Sequence, residues 1–118
     1  MKALFLPIIS LAIAQTSNAQ APVGKIDPAA RLDTVEVACG MCQFDMSGDD
    51  CALAARVNTR TYYVEGTHID KHGDAHAKDG FCNMIRTAEV QGALAGTKYK
   101  VTYFKLLPLD KVAPKKPI

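Results

Sequence analysis

Four cysteines are the residues of this chain best suited to chemistry: Cys39, Cys42, Cys51 and Cys82. The first two form a C-x2-C pair, which presents two sulfurs on one small turn, while the other two stand alone. Thiols in an oxidising compartment are usually paired as disulfides, whereas thiols that stay reduced are ligands for soft metals. The redox state of these residues therefore decides between two classes of function.

Structural disulfides are the first interpretation. A domain of about 100 residues has a modest core, and a cross-link stabilises it by restricting the unfolded chain. We expect Cys39 to pair with Cys82 and Cys42 with Cys51, because two cysteines so close at a strand end point in similar directions and do not easily bridge each other. The pairing of Cys39 with Cys51 and of Cys42 with Cys82 remains open.

A metal site is the alternative interpretation. The four cysteines can complete a tetrahedral S4 site, and Met41 places a thioether beside Cys42, a combination that suits Cu(I). His72 and His76 lie four residues apart, which puts them on one face of a helix at metal-ligand spacing. In this interpretation the cofactor is copper or zinc, held by the cysteines with or without the histidines. In the disulfide interpretation there is no cofactor.

Signatures of catalysis are missing from the sequence. Reactive C-x-x-C pairs usually begin a helix within a βαβ unit, whereas this pair follows a strand pattern. Ser47 has no G-x-S-x-G context, and neither a phosphate loop nor a dinucleotide fingerprint is present. We therefore expect no enzyme, but an exported binding or structural module, stabilised by disulfides, whose ligand or protein partner the sequence does not identify.

The charge balance bears on the class of partner. The formal net charge is +2, and Lys2 contributes one of the positive charges. A nearly neutral chain does not carry the basic surface that binding to phosphates requires. We expect no nucleic-acid partner.

The apolar pattern predicts a protein made mostly of β-strands. Val35 and Val37 alternate with polar residues directly before Cys39, and similar period-two patterns occur at residues 53–57, 62–64, 86–94 and 98–107. A short helix is expected at 69–78, between the third and fourth strands. This order predicts a small five-stranded OB-like barrel, and an open α+β sheet is the alternative.

The N-terminal residues predict export. Lys2 precedes the apolar run 3–14, and a polar segment then ends at the small residue Ala19, where we place cleavage. The apolar run is too short to span a bilayer, so we expect a secreted or periplasmic mature chain without a transmembrane segment. The predicted organisation is a signal peptide at 1–19, a linker at 20–33, the cysteine-bearing domain at 34–108 and a flexible basic tail at 109–118.

Several segments carry a resemblance to a known family: CGMCQF, HGDAHAKDGFC, EVQG and YFKLLP. In these segments, and in the position of Cys51 between the first two, the chain resembles a family of small secreted bacterial proteins known only as a domain of unknown function. The likeness covers roughly residues 34–108. It implies an exported, compact, cysteine-bearing domain, and it implies no activity.

Overall fold

The computed structural model describes residues 3–5, 7, 9–10 and 21–109. The predicted signal peptide, residues 1–19, lies mostly outside the described residues, and so does the predicted tail, residues 109–118. Among the described residues, no helix has the length and apolar composition needed to cross a membrane.

Alternation of apolar and polar residues produces the main strands. In the strand that ends at Cys39, Val35 and Val37 are buried while Thr34 is exposed. The described residues contain six strands and two short helical segments: β1 (Val23–Gly24), β2 (Asp33–Cys39), α1 (Gly40–Gln43), β3 (Leu53–Val57), β4 (Arg60–Glu65), a 3-10 turn (Ile69–His72), β5 (Arg86–Ala95) and β6 (Lys98–Leu106).

Strands β2 to β6 close into a barrel. Antiparallel pairing joins β2 to β3, β3 to β4, β5 to β6 and β2 to β5, and a parallel pairing of β4 with β6 completes the circle. Strand β1 adds to β6 outside this circle. The closed five-stranded barrel confirms the predicted OB-like architecture, and its closure excludes the open sheet.

The helical segments differ from the expectation in length and in number. The helix predicted at 69–78 is a single 3-10 turn, and it ends at Gly73, whose φ of 96° breaks the helical path. The sequence did not predict α1, a single turn between β2 and β3 in which the amide of Phe44 donates to the carbonyl of Gly40 at 3.1 Å.

Gln91 connects the barrel to the segment before β2. Its side chain is 1% exposed, accepts a hydrogen bond from the Asp27 amide at 2.8 Å, and donates to the carbonyls of Asp27 and Ala30 at 2.8 and 3.1 Å. Residues 21–32 belong to the predicted linker, yet this buried amide and strand β1 hold them against the barrel.

The core lies inside the barrel. Its largest fully buried side chains come from distant parts of the chain and include Val37, Phe81, Val90 and Phe104. Cys39 belongs to the same core cluster, and Cys51 and Cys82 pack against it as half-buried residues. The end of β2 therefore joins the core to the cysteines.

Candidate metal centre

Three separate segments bring the four cysteines together. Cys39 is the last residue of β2 and Cys42 lies in α1, while Cys51 precedes β3 and Cys82 lies in the loop before β5. We call these four residues the cysteine cluster. Their ligand atoms all lie within 4.8 Å of one another, and no histidine or carboxylate joins this group among the described residues.

Backbone hydrogen bonds hold the three segments in place. The amide of Cys39 donates to the carbonyl of Phe81 at 2.9 Å, and the amide of Gly40 donates to the carbonyl of Ala52 at 3.0 Å. The first bond fixes the loop that carries Cys82, and the second fixes the residue next to Cys51. The cluster is therefore positioned by the main chain as well as by its own side chains.

Gln43 adds a side-chain connection between α1 and the loop before β5. Its amide nitrogen donates to the carbonyl of Cys82 at 2.8 Å. Gln43 directly follows Cys42, so this bond ties the C-x2-C turn to the fourth cysteine. Sequence reasoning did not identify Gln43, because no local pattern reveals a contact with a residue so distant in the chain.

The shortest distances between the sulfurs exceed the length of a disulfide bond but are shorter than ordinary non-bonded sulfur contacts. The Sγ atom of Cys39 lies 2.6 Å from that of Cys51 and 3.2 Å from that of Cys42, and the Sγ atoms of Cys51 and Cys82 are 3.0 Å apart. A disulfide measures about 2.05 Å, and all four cysteines are free.

The expected bridges, Cys39 to Cys82 and Cys42 to Cys51, are therefore not formed in the structure. The three contacts at 3.2 Å or less involve other combinations. The closest pair, Cys39 and Cys51, belongs to the pairing that the sequence left open. The physical reason is that α1 turns Cys42 back beside Cys39, so the two do not simply follow one another along an extended strand.

Exposure differs strongly among the four thiols. Cys39 is 0% exposed, Cys51 and Cys82 are half-buried, and Cys42 lies on the surface. The cluster is therefore anchored in the core at Cys39 and reaches solvent at Cys42.

Hydrogen bonding lowers the pKa of the Cys39 thiol. Burial works to raise the pKa of its thiol, but hydrogen bonds with Cys51 and Cys42 and with two backbone amides outweigh burial and lower the pKa. The two amides belong to Cys42 and Met41. This turn thus offers its N–H groups to a negatively charged sulfur, as a thiolate ligand requires.

The neighbouring thiols are held in the protonated form. The hydrogen bond with Cys39, followed by burial, raises the pKa of Cys42 to about 11. Burial, followed by hydrogen bonds with Cys39 and Cys82, raises the pKa of Cys51. Within this trio of thiols, Cys39 is therefore the position that most readily carries a negative charge.

Tyr63 packs against the C-x2-C turn. A Cβ atom placed on Gly40 would lie 2.7 Å from the Tyr63 ring and 2.9 Å from the Met46 sulfur, so any larger residue there forces these side chains to move. Burial, and then the negative charge that the nearby Cys39 can carry, raises the pKa of the Tyr63 phenol. Its hydroxyl donates to the carbonyl of Ser47 at 2.8 Å, which anchors the loop between α1 and β3.

The two histidines of the predicted metal site do not join the cluster. His72 is 7% exposed, its Nε2 atom lies 2.8 Å from the Thr67 hydroxyl, and its ring packs 4.5 Å from that of Phe104. Burial lowers the His72 pKa. His76 is exposed and lies 3.9 Å from an Asp74 carboxylate oxygen. Their regular spacing does not place them on one face, because the chain leaves the helical path at Gly73.

Met41 contributes to the site through its main chain. Its amide is one of those that lower the Cys39 pKa. Its side chain is 42% exposed, and its sulfur lies 3.4 Å from the position that a Cβ atom would take on Gly48. The thioether expected as a copper ligand therefore lies beside Gly48, in the loop between α1 and β3.

Comparison with known proteins yields one match. Residues 33–107 match the model of a family described as a family of unknown function, DUF6370. No curated protein and no solved structure matches the chain significantly. The matched region contains all four cysteines and the whole barrel.

Proposed function

The chain belongs to the DUF6370 family of unknown function, and from the geometry of the cysteine cluster we propose that the domain binds a soft metal cation. Zn(II) is the first candidate and Cu(I) the second. The observation that carries the proposal is the convergence of four Sγ atoms, contributed by three chain segments, within 4.8 Å of one another.

The size of the cluster suits one ion after a small expansion. A tetrahedral zinc site has Zn–S distances of about 2.3 Å, which places the sulfurs about 3.8 Å apart. The closest contacts in the cluster are 2.6 to 3.2 Å, so the sulfurs must separate by roughly 1 Å. Side-chain rotation supplies such a movement while the backbone bonds of Cys39 and Gly40 stay in place.

The donor set favours Zn(II). Four thiolates in a tetrahedral arrangement are typical of zinc or iron sites, whereas thioether donors shift the preference toward Cu(I). The cluster joins four cysteines with no histidine or carboxylate among the described residues, and the Met41 side chain is 42% exposed, with its sulfur next to Gly48. A cation also replaces the protons of Cys42 and Cys51 and neutralises charge that the protein otherwise shares among hydrogen-bonded thiols.

Catalytic thiol–disulfide exchange fits the same residues less well. That reaction needs an accessible cysteine with a lowered pKa. Here Cys39 has the lowered pKa but is fully buried, while the exposed Cys42 has a raised one. Because the thiol with the lowered pKa is buried and the exposed thiol has a raised pKa, the site supports a binding role without catalysis.

Export forms part of the proposal. The predicted signal peptide, residues 1–19, would deliver the domain to the periplasm or the medium. There a bound metal would protect the thiols against disulfide formation, because the same sulfur lone pairs hold the ion.

Native mass spectrometry of the reduced full-length chain tests the proposal. After addition of Zn(II), or of Cu(I) without oxygen, we expect one adduct of about 63 to 65 Da that is lost on denaturation. Replacement of zinc by Co(II) should give the intense visible spectrum of a tetrahedral thiolate site. Cys51→Ser should abolish both signals, whereas His76→Ala, at an exposed histidine outside the cluster, should retain them. Absence of any adduct from the reduced protein would refute metal binding.

A further inference from the structure

The sulfurs of the cysteine cluster form a closed ring of neighbours. Cys39 contacts Cys42 and Cys51, and Cys51 contacts Cys82. Cys42 and Cys82 close the circle: their sulfurs lie within 4.8 Å of each other, and an interaction with Cys82 is among the causes that raise the Cys42 pKa. Each sulfur thus has two neighbours, and the pairs that face each other across the ring are Cys39 with Cys82 and Cys42 with Cys51.

We propose that this ring makes the site redox-sensitive: hydrogen peroxide joins Cys39 to Cys51 and Cys42 to Cys82 and thereby releases the metal. The release rests on the proposed metal binding, but the pairing rests on the sulfur positions alone. Cys39 and Cys51 are the closest pair at 2.6 Å, and their bridge leaves Cys42 and Cys82 as the second pair of neighbours.

Exposure indicates where oxidation begins. Cys42 is the exposed cysteine, and as a metal ligand it is a thiolate despite its raised pKa in the free cluster, so its sulfur is the one that meets and attacks peroxide. The Cys42 sulfur attacks one peroxide oxygen, an S–O bond forms as the O–O bond breaks, and the departing hydroxide takes up a proton to become water. The product is a sulfenic acid on Cys42, and peroxide has gained the two electrons that the sulfur lost.

A neighbouring cysteine then resolves the sulfenic acid. The Cys82 sulfur attacks that of Cys42, an S–S bond forms, the S–O bond breaks, and hydroxide leaves with a proton as a second water. A second peroxide oxidises Cys39 and Cys51 in the same way. Each bridge thus removes two electrons from two sulfurs and converts one peroxide into two waters. Because thiolates and not disulfides are the metal ligands, the ion loses its whole donor set.

The fold permits this chemistry without rearrangement. The bonds from Cys39 to Phe81 and from Gly40 to Ala52 involve main-chain atoms, so they do not depend on the oxidation state of sulfur. Only the sulfurs need to approach, from 2.6 Å to about 2.05 Å for Cys39 and Cys51. The barrel should therefore keep its structure in both states.

Peroxide titration of the zinc-loaded full-length chain tests the release. With a chromogenic zinc indicator present, we expect complete loss of zinc, and the denatured protein should be about 4 Da lighter than the reduced one. Zinc retained after full oxidation of the thiols, or zinc lost with sulfinic acids and no bridges, would overturn the inference. A reduced protein that binds no zinc refutes the proposed function alone, because the pairing below is measured without metal.

Peptide mapping tests whether Cys39 and Cys42 bridge each other. Cleavage before Asp45, Asp50 and Asp79 places Cys51 and Cys82 on two peptides, separate from residues 33–44, which contain Cys39 and Cys42. The proposed bridges join all three peptides. Release of the 33–44 peptide on its own would show a Cys39–Cys42 bridge and contradict the proposal.

Double variants without metal distinguish neighbours from pairs that face each other. Cys42→Ser/Cys82→Ser retains Cys39 with Cys51, and Cys39→Ser/Cys51→Ser retains Cys42 with Cys82. In both variants we expect the remaining pair to form its disulfide, seen as a loss of about 2 Da, roughly tenfold faster than in the matched variants that retain facing pairs. The reason is that proximity accelerates bond formation. The matched variants are Cys42→Ser/Cys51→Ser and Cys39→Ser/Cys82→Ser, and circular dichroism checks that all four fold. Equal rates would refute the ring arrangement.

Discussion

The side-chain amide of Gln43 donates a hydrogen bond to the carbonyl of Cys82 at 2.8 Å, and this bond spans two segments of the cysteine cluster that are far apart in the chain. Groups that orient metal ligands in this way affect affinity although they do not touch the ion. Gln43 therefore provides a test of the site that leaves all four sulfurs intact.

Substitution Gln43→Met should weaken zinc binding by about tenfold, the lower end of the loss seen when orienting partners are removed. The methionine fills a similar volume but cannot donate to Cys82. Competition with a zinc chelator of known affinity measures the change. As a control, Arg60→Ala alters the first residue of β4, which pairs with Val57 at the end of β3 that is remote from Cys51, and should leave affinity unchanged. If Gln43→Met bound zinc as tightly as the unsubstituted protein, the orienting role would be wrong.

Gly40 is expected to tolerate no larger residue. In Gly40→Ala the added methyl group would meet the Tyr63 ring at 2.7 Å, and overpacking of this kind costs about 1 to 3 kcal/mol. Urea denaturation should show this loss. In a double-mutant cycle, Tyr63→Leu should recover part of it, since the smaller side chain removes the clash. Additive effects of the two substitutions would show that Gly40 matters for another reason.

Strand periodicity made most of the barrel predictable from sequence. Val35 and Val37 alternate with polar residues, and this local pattern is a direct consequence of the pleat. The helical segments were less predictable, because a single turn such as α1 is too short to show a period of 3.6 residues. Gly73 lies inside the predicted helix, and its positive φ limits the helical segment to a 3-10 turn.

The candidate site was predictable in its cysteines and not in its surroundings. Residue type alone identified the thiols, but their mutual distances depend on barrel closure, which no local pattern encodes. The histidine spacing pointed to a metal face, whereas His72 lies between Phe104 and Thr67 in the interior. Tyr63 is one of four tyrosines in the chain, and its long-range contact with Gly40 distinguishes it.

Gln91 is expected to hold the segment before β2 on the barrel. Gln91→Leu removes the hydrogen bonds to Asp27 and Ala30, and we expect a loss of about 1 to 3 kcal/mol in the free energy of unfolding. The same substitution should accelerate tryptic cleavage after Lys25 and Arg31, since local opening exposes these peptide bonds. Glu89→Gln, on the same strand, serves as the control. Unchanged cleavage would show that β1 alone fixes this segment.

His72 should make the stability of the barrel depend on pH. Burial lowers its pKa in the folded protein, so the unfolded chain takes up a proton first as the pH falls. The stabilising contribution of the neutral ring is complete above the unfolded pKa of about 6.5 and decreases below it. The contacts that the structure shows at this ring, with Phe81, Phe104 and Thr67, supply no charge to offset the effect.

Urea unfolding between pH 7.5 and pH 5.5 measures this dependence, which one group limits to about 1.4 kcal/mol per pH unit. His72→Gln removes the titrating ring but retains an amide that can bond to Thr67, so its stability should vary less with pH than that of the unsubstituted protein. The matched variant His76→Gln changes an exposed histidine and should keep the original slope. If His72→Gln kept that slope as well, another group would be responsible, and the ring would be no more than a packing element beside Phe104.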